Sequence, residues 1–208
     1  MSHAEVCVES ASEGYVAMAF KGSRLLCNTI PVESERRALG LLKAVCQRAW
    51  GKVPLKRTRF CGLESEWVAA EINKLFLGEP ASLERIKLIP PRDRGMRRAL
   101  DVVSRIPRGR VITYSMLAKV LNTSPRVVGG YMAKNPYPLI VPCHRVVRAD
   151  MTLGGYSFGK LIKAYILMRE GVEVNLETGK VDRRALLTRE ELERLLRRVD
   201  LLREAIGW

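Results

Sequence analysis

Residues 105–147 read RIPRGRVITYSMLAKVLNTSPRVVGGYMAKNPYPLIVPCHRVV, and the organisation of the chain follows from that stretch. Pro-Arg-Gly-Arg at 107–110 is a turn, and Val111–Tyr114 opens the next element. Ser115–Leu121 has the spacing of a short helix. Asn-Thr-Ser at 122–124 is a turn, and Pro125–Lys134 is a second short helix, with Ser124 as N-cap and proline at the first helical position. Two short helices joined by a tight polar turn match a helix-turn-helix, although a generic helical hairpin carries the same signature. Gly129 and Gly130 lie inside the second helix, where each costs roughly 1 kcal/mol relative to alanine. Such a pair is expected where something approaches the backbone closely, either DNA or a neighbouring helix. Pro136, Pro138 and Pro142 then exclude a helix, and the apolar run Leu139–Val141 places Cys143 at the end of a buried strand-like segment.

Upstream, Val6–Ser10, Tyr15–Phe20 and Arg24–Ile30 are β-prone runs separated by turn residues, a hairpin or meander. Glu33–Trp50 and Leu63–Phe76 have helical periods, the first through Leu39, Leu42, Val45, Cys46 and Ala49, the second through Trp67, Ala70, Ile72 and Leu75. A proline-rich boundary near 78–92 precedes a basic helix over Met96–Ile106. Downstream, a glycine-containing loop at 154–159 leads into a helix over Lys160–Glu170. Thr188 and Glu191 fit a capping box, and Leu192, Leu195, Leu196, Val199 and Leu202 form an amphipathic stripe. The expected fold is an α/β N-terminal domain (a small antiparallel sheet with helices, 1–85), a mainly α domain with a winged-helix-like helix-turn-helix (86–174), and a C-terminal extension (175–208). The stripe is expected to pack on the body of the protein rather than on a partner.

Composition narrows the partners. Thirty-six Lys and Arg oppose 22 Asp and Glu, for a net charge of +14 and a pI near 10.0. That excess favours a polyanion, nucleic acid or an anionic surface. No apolar run is long enough for a membrane span, and the first twenty residues lack the basic start and apolar core of a secretory signal. A cytoplasmic location is expected, or a nuclear one in a eukaryote. Cys7, Cys27, Cys46, Cys61 and Cys143 are widely and irregularly spaced, unlike a secreted disulfide framework. Buried free thiols are expected for the first four, with a Cys7–Cys27 disulfide as the alternative in a hyperthermophile. Two histidines, His3 and His144, and no C-x-x-C argue against a metal site.

Cys143 is the cysteine that stands next to a histidine and among basic residues, His144, Arg145 and Arg148. Positive neighbours lower a thiol's pKa, and the thiolate is the nucleophile; a buried inert thiol is the competing reading. Adjacent residues of a regular strand face opposite ways, so Cys143 and His144 need a bridging water or a kink to cooperate. A base also needs an orienting acceptor, for which Glu170 is a candidate.

The motifs that follow one another here are Ile106-Pro-x-Gly-x-Val-x-Thr-Tyr114, Arg126-x-Val-Gly-Gly130, a Pro-Cys-His-Arg-Val run at 142–146 behind Asn135, Gly-Gly-Tyr-Ser-Phe-Gly at 154–159 and Met168-Arg-Glu-Gly171. Over roughly residues 92–171 the chain strongly resembles the O6-alkylguanine-DNA alkyltransferase family; the first eighty-odd residues match only in size and coarse α/β pattern. The resemblance implies a single-turnover repair protein without a cofactor, monomeric, acting on double-stranded DNA that contains O6-alkylguanine. Cys143 would accept the alkyl group, His144 would take its proton through water with Glu170 orienting it, Tyr114 would donate toward the guanine N3, and Asn135 would hold the turn before the active-site segment. Arg126 would fill the gap left by a flipped nucleotide. Thr113, Ser115, Ser124, Gly129, Gly130, Tyr131 and Lys134 would meet DNA. The Val146 carbonyl, the Ser157 amide, Tyr156, Met132 and Phe158 would form the pocket. Tyr131 and Phe158 stand where the family often has small residues, so Phe158 is expected to favour methyl over benzyl substituents. The chain lacks the histidines of members with an N-terminal zinc site, and its extension beyond Val174 is longer than usual.

Overall fold

The computed structural model describes residues 3–58 and 62–206, with side chains for 3–58 and 64–197. The cysteine and stripe readings at Cys61, Val199 and Leu202 concern side chains outside these ranges.

Strands β1 (Ala4–Ala11), β2 (Gly14–Lys21) and β3 (Arg24–Asn28) form the expected antiparallel meander. The sheet is nevertheless mixed, not purely antiparallel: β4 (Leu55–Arg57) adds parallel to β1, giving the order β3-β2-β1-β4. Helix α1 (Glu35–Trp50) is the crossover that returns the chain to the right end for a parallel pairing. Three residues, two of them charged, carry no readable strand period.

Side chains alternate along these strands, and both faces are covered. Val6, Ala17, Ala19 and Leu26 pack under Ala38, Leu42, Val45 and Cys46 of α1. The opposite face, with Val16, Met18 and Phe20, packs on Val68, Ala69 and Ile72 of α2 (Gly62–Leu77) and on the second half of the chain. In α2 Ala70 faces solvent, contrary to the expected stripe.

Two corrections concern cysteine. Cys27 pairs with Cys46, tying β3 to α1, so a Cys7–Cys27 bond does not form. Cys7 is itself disulfide-bonded, and the free-thiol expectation fails for all three residues. Among the described residues Cys143 is the free cysteine.

Helix α3 (Arg94–Ser104), capped by the Asp93 carboxylate, buries Met96, Ala99, Leu100 and Val103. Then come β5 (Ile112–Thr113), α4 (Tyr114–Leu121) and α5 (Pro125–Ala133). Asn122 ends α4 in the left-handed region and the Ser124 hydroxyl caps α5, so the turn between them is short and fully bonded. Leu139–Val141 is not strand-like: Leu139 has φ 71° and the segment is a tight turn. Cys143–Arg145 forms a single 3-10 turn, followed by β6 (Val146–Val147), parallel to β5. Helix α6 is Lys160–Arg169.

The extension is not detached. Strands β7 (Val174–Asn175) and β8 (Lys180–Val181) form a hairpin, and α7 (Arg189–Ile206) follows. Thr188 and Glu191 cap α7 reciprocally, and Leu192 is buried in the main core, with Leu195 and Leu196 packed against it. No helix among the described residues is long and apolar enough to cross a membrane.

Candidate active site

Every side chain of the site is placed by the short elements around Cys143. Cys143 is 7 % exposed and lines a cavity of about 910 Å³, inside the range of roughly 300–1,000 Å³ usual for small-molecule sites. Tyr114, Ser115, Arg126, Gly129, Met132, Tyr156 and Ser157 line the same cavity, together with Arg148 and Lys160 at its rim.

The backbone turn explains how Cys143 and His144 can share a site. In a 3-10 turn successive side chains are about a third of a turn apart, not opposed as in a strand. Cys143 N donates to Val141 O at 2.8 Å and Arg145 N to Pro142 O at 2.9 Å, which closes the turn. Asn135 holds the segment before it, donating from Nδ2 to Val141 O (2.9 Å) and accepting at Oδ1 from Tyr137 N (3.0 Å). The N-terminal sheet grips the same segment, since Asn28 N donates to Pro136 O (3.0 Å) and Asn28 Nδ2 to Pro138 O (2.9 Å).

His144 Nε2 lies 2.9 Å from Glu170 Oε1, at the C-terminal end of α6. Arg145 clamps the same carboxylate from Nε (2.9 Å) and Nη2 (2.6 Å) and donates to Ile106 O from Nη1 (2.5 Å). Burial raises the Glu170 carboxyl, but the bonds and charges of His144 and Arg145 outweigh it and hold the group at about 2. Burial lowers the His144 pKa against the pull of Glu170. The imidazole is therefore neutral, with its proton assigned to Nε2 by the Glu170 bond. Nδ1 is buried and makes no hydrogen bond, so its lone pair is open to a proton.

Burial also pushes the Cys143 thiol above its ordinary value of 9.0, against the opposing pull of Asn135 and the Lys163 charge. This corrects the expectation of a thiol lowered by positive neighbours: Arg145 is spent on Glu170, and desolvation of the sulfur is the larger effect. Tyr114 is pushed up to about 12 by burial and then by the Cys143 charge, so its phenol remains a proton donor. The Tyr156 hydroxyl is buried without a partner.

Sequence reading gave Lys163 no role. Its ammonium is buried, donates to Val146 O (2.6 Å) and Leu153 O (2.5 Å), and lies 5.9 Å from the Tyr114 ring centre. Burial lowers it to about 8. The Val146 carbonyl thus keeps one lone pair for a guest. A single lysine on an amphipathic helix reads as solvated, and only the packing reveals otherwise.

Other expected site residues lie elsewhere. Thr113 is buried and its hydroxyl caps α4 by accepting from Met116 N at 3.1 Å. Tyr131 turns its hydroxyl onto Gly95 of α3. Phe158 is set behind the cavity wall: its ring lies 5.6 Å from that of Tyr156, which lines the cavity, and packs on the core. Ser124 and Lys134 are exposed at the two ends of α5. A Cβ on Gly129 or Gly130 would meet nothing within 4 Å, so no neighbouring helix requires these glycines.

Such an arrangement belongs to proteins that use a cysteine as nucleophile on a guest drawn into a cavity. The family "6-O-methylguanine DNA methyltransferase, DNA binding domain" matches residues 95–172. A methylated-DNA–protein-cysteine methyltransferase of Methanocaldococcus vulcanius is 36 % identical over 170 residues, covering 78 % of this chain and 95 % of the relative. That of Methanocaldococcus jannaschii is 38 % identical over 173 residues, covering 81 % and 96 %. The crystal structure of O6-methylguanine-DNA methyltransferase from Pyrococcus kodakaraensis strain KOD1 superposes with a TM-score of 0.62 at 30 % identity, covering 81 % of this chain and 99 % of that one. The chain belongs to the methylated-DNA–protein-cysteine methyltransferase family.

Proposed function

We propose that this protein repairs double-stranded DNA by moving an alkyl group from O6 of guanine to Cys143. The observation that carries the reading is a free cysteine at a cavity, backed by a neutral histidine that a buried carboxylate orients. His144 Nδ1 receives the thiol proton through a water. The sulfur attacks the alkyl carbon, an S–C bond forms, the C–O6 bond breaks, and the electron pair stays with guanine. Tyr114 hydrogen-bonds to N3 as that charge develops and keeps its proton; the guanine anion takes up one proton from water and His144 gives one back, so the base and the histidine both end neutral. A thioether offers no easy reverse path, so each molecule reacts once.

The guanine O6 lies within the duplex, so the nucleotide must leave the stack, at a cost of a few kcal/mol. Arg126, exposed at the mouth of the cavity, takes its place. In this reading α4 and α5 are the helix-turn-helix of a winged-helix-like unit, and Gly129 and Gly130 let the backbone of α5 approach the minor groove. Residues 1–85 serve as scaffold, 86–174 carry DNA binding and transfer, and 175–208 extend that unit. The protein acts as a monomer in the cytoplasm, or in the nucleus of a eukaryote.

The test is stoichiometry on a duplex with one O6-methylguanine. Demethylated guanine should equal the protein added and then stop accumulating; continued product over time would replace this reading with a hydrolytic one.

A further inference from the structure

The family match ends at residue 172, yet the chain beyond it reaches the cavity. Thr178 and Gly179, in the turn between β7 and β8, stand in the cavity wall with Cys143 and Tyr114. The hairpin also holds the facing loop. Leu153 N donates to Gly179 O at 3.0 Å, Val181 N donates to Met151 O at 2.8 Å, and Lys180 Nζ donates to Asp150 O at 2.6 Å. Asp150, Thr152, Leu153 and Gly154 are themselves part of the wall.

The turn is built to stay put. Asn175 Oδ1 accepts from Thr178 N (2.9 Å), Asn175 O accepts from Gly179 N (2.8 Å), and Gly179 sits at φ +67°, where L side chains are strained. Its far end is anchored beside the opposite wall. Val111 N donates to Ala185 O (2.8 Å) and Leu187 N to Val111 O (2.9 Å), three residues before Tyr114. Arg110 holds Glu191 through two bonds of 2.7 and 2.6 Å and donates to the carbonyls of Ala185 and Leu186. One segment thus braces both sides of the cavity.

We propose that the β7–β8 turn is a working part of the site: Thr178 forms the wall against which the extruded guanine nucleotide packs, and Asn175 is a positioning residue that holds this wall in place. The proposal rests on the alkyl-transfer reading above. Thr178 is exposed, so a larger side chain there narrows the cavity mouth for a nucleotide, while leaving room for a small reagent, without disturbing the core.

The experiment compares wild type, Thr178→Trp, Asn175→Ala and Asn175→Asp in single-turnover transfer from a duplex with one O6-methylguanine. Affinity for undamaged duplex and the rate of Cys143 alkylation by iodoacetamide are measured in parallel. Thr178→Trp should slow transfer by roughly ten-fold or more, as expected when a guest is displaced from its attack geometry. Duplex affinity and the iodoacetamide rate should stay at wild-type values. Asn175→Ala should slow transfer in the same selective way, and Asn175→Asp, which keeps the acceptor, should restore it. Unchanged transfer in Thr178→Trp, or a loss matched by lost affinity for undamaged duplex, would overturn the proposal. Absence of transfer in wild type would instead sink the alkyl-transfer reading itself.

Discussion

Glu170 is the residue on which the chemistry and part of the stability converge. It is 6 % exposed and satisfies His144 and Arg145 together. Breaking a buried ion pair from one side costs about 3–5 kcal/mol, because the remaining charge is stranded. Glu170→Gln should therefore lower unfolding free energy by about that much and abolish transfer, as read by urea titration and by the single-turnover assay. The carboxyl is held at about 2 against an ordinary 4.5, so it binds protons more weakly folded than unfolded. Its contribution is complete above about pH 4.5 and is lost as pH falls toward 2. The urea midpoint of wild type should drop across that window, and Glu170→Gln should lack this part of the drop; parallel curves would contradict the assignment. Cys143 and His144 were legible as a candidate pair because they are neighbours in a motif. The partners of Arg145 and Lys163 were not, since each forms across 10 or more positions of chain. Arg145 read as a promoter of the thiolate, and the fold uses it on Glu170.

Helix α5 shows the cost of function at the level of an element. Its two glycines face open space, so alanine there should raise stability by about 1 kcal/mol each through helix propensity alone. The double variant Gly129→Ala/Gly130→Ala should melt higher and bind duplex DNA more weakly; higher stability with undiminished binding would show that no partner approaches this backbone. Sequence left a neighbouring helix and DNA equally open, and the empty surroundings of both positions exclude the neighbouring helix. The Cys27–Cys46 bond closes a chain separation of 19, for which loop entropy suggests about 3 kcal/mol. Cys46→Ser should lower unfolding free energy by about that amount without altering the transfer rate. This pairing was hidden because cysteine spacing carries no connectivity. The β7–β8 hairpin was hidden because two-residue strands have no period to read.

The molecule as a whole joins the N-terminal sheet to the cavity-bearing second half of the chain through one continuous core. The meander, the order of helices and the helix pair α4–α5 were legible because period and turn residues agree locally. The parallel strand β4 and the strapping of the cavity by the extension depend on long-range pairings and were not. With a charge of +14, binding to duplex should be carried largely by phosphate contacts, so affinity should fall about 10³-fold or more between 50 and 200 mM salt if six or more phosphates are neutralised. Fluorescence anisotropy across that range checks it, and a flat profile would contradict it. The most direct test of the central claim is peptide mass spectrometry after reaction with O6-methylguanine duplex. The account predicts one added methyl on the peptide that contains Cys143, in every reacted molecule; an unmodified Cys143 peptide beside demethylated DNA would contradict it.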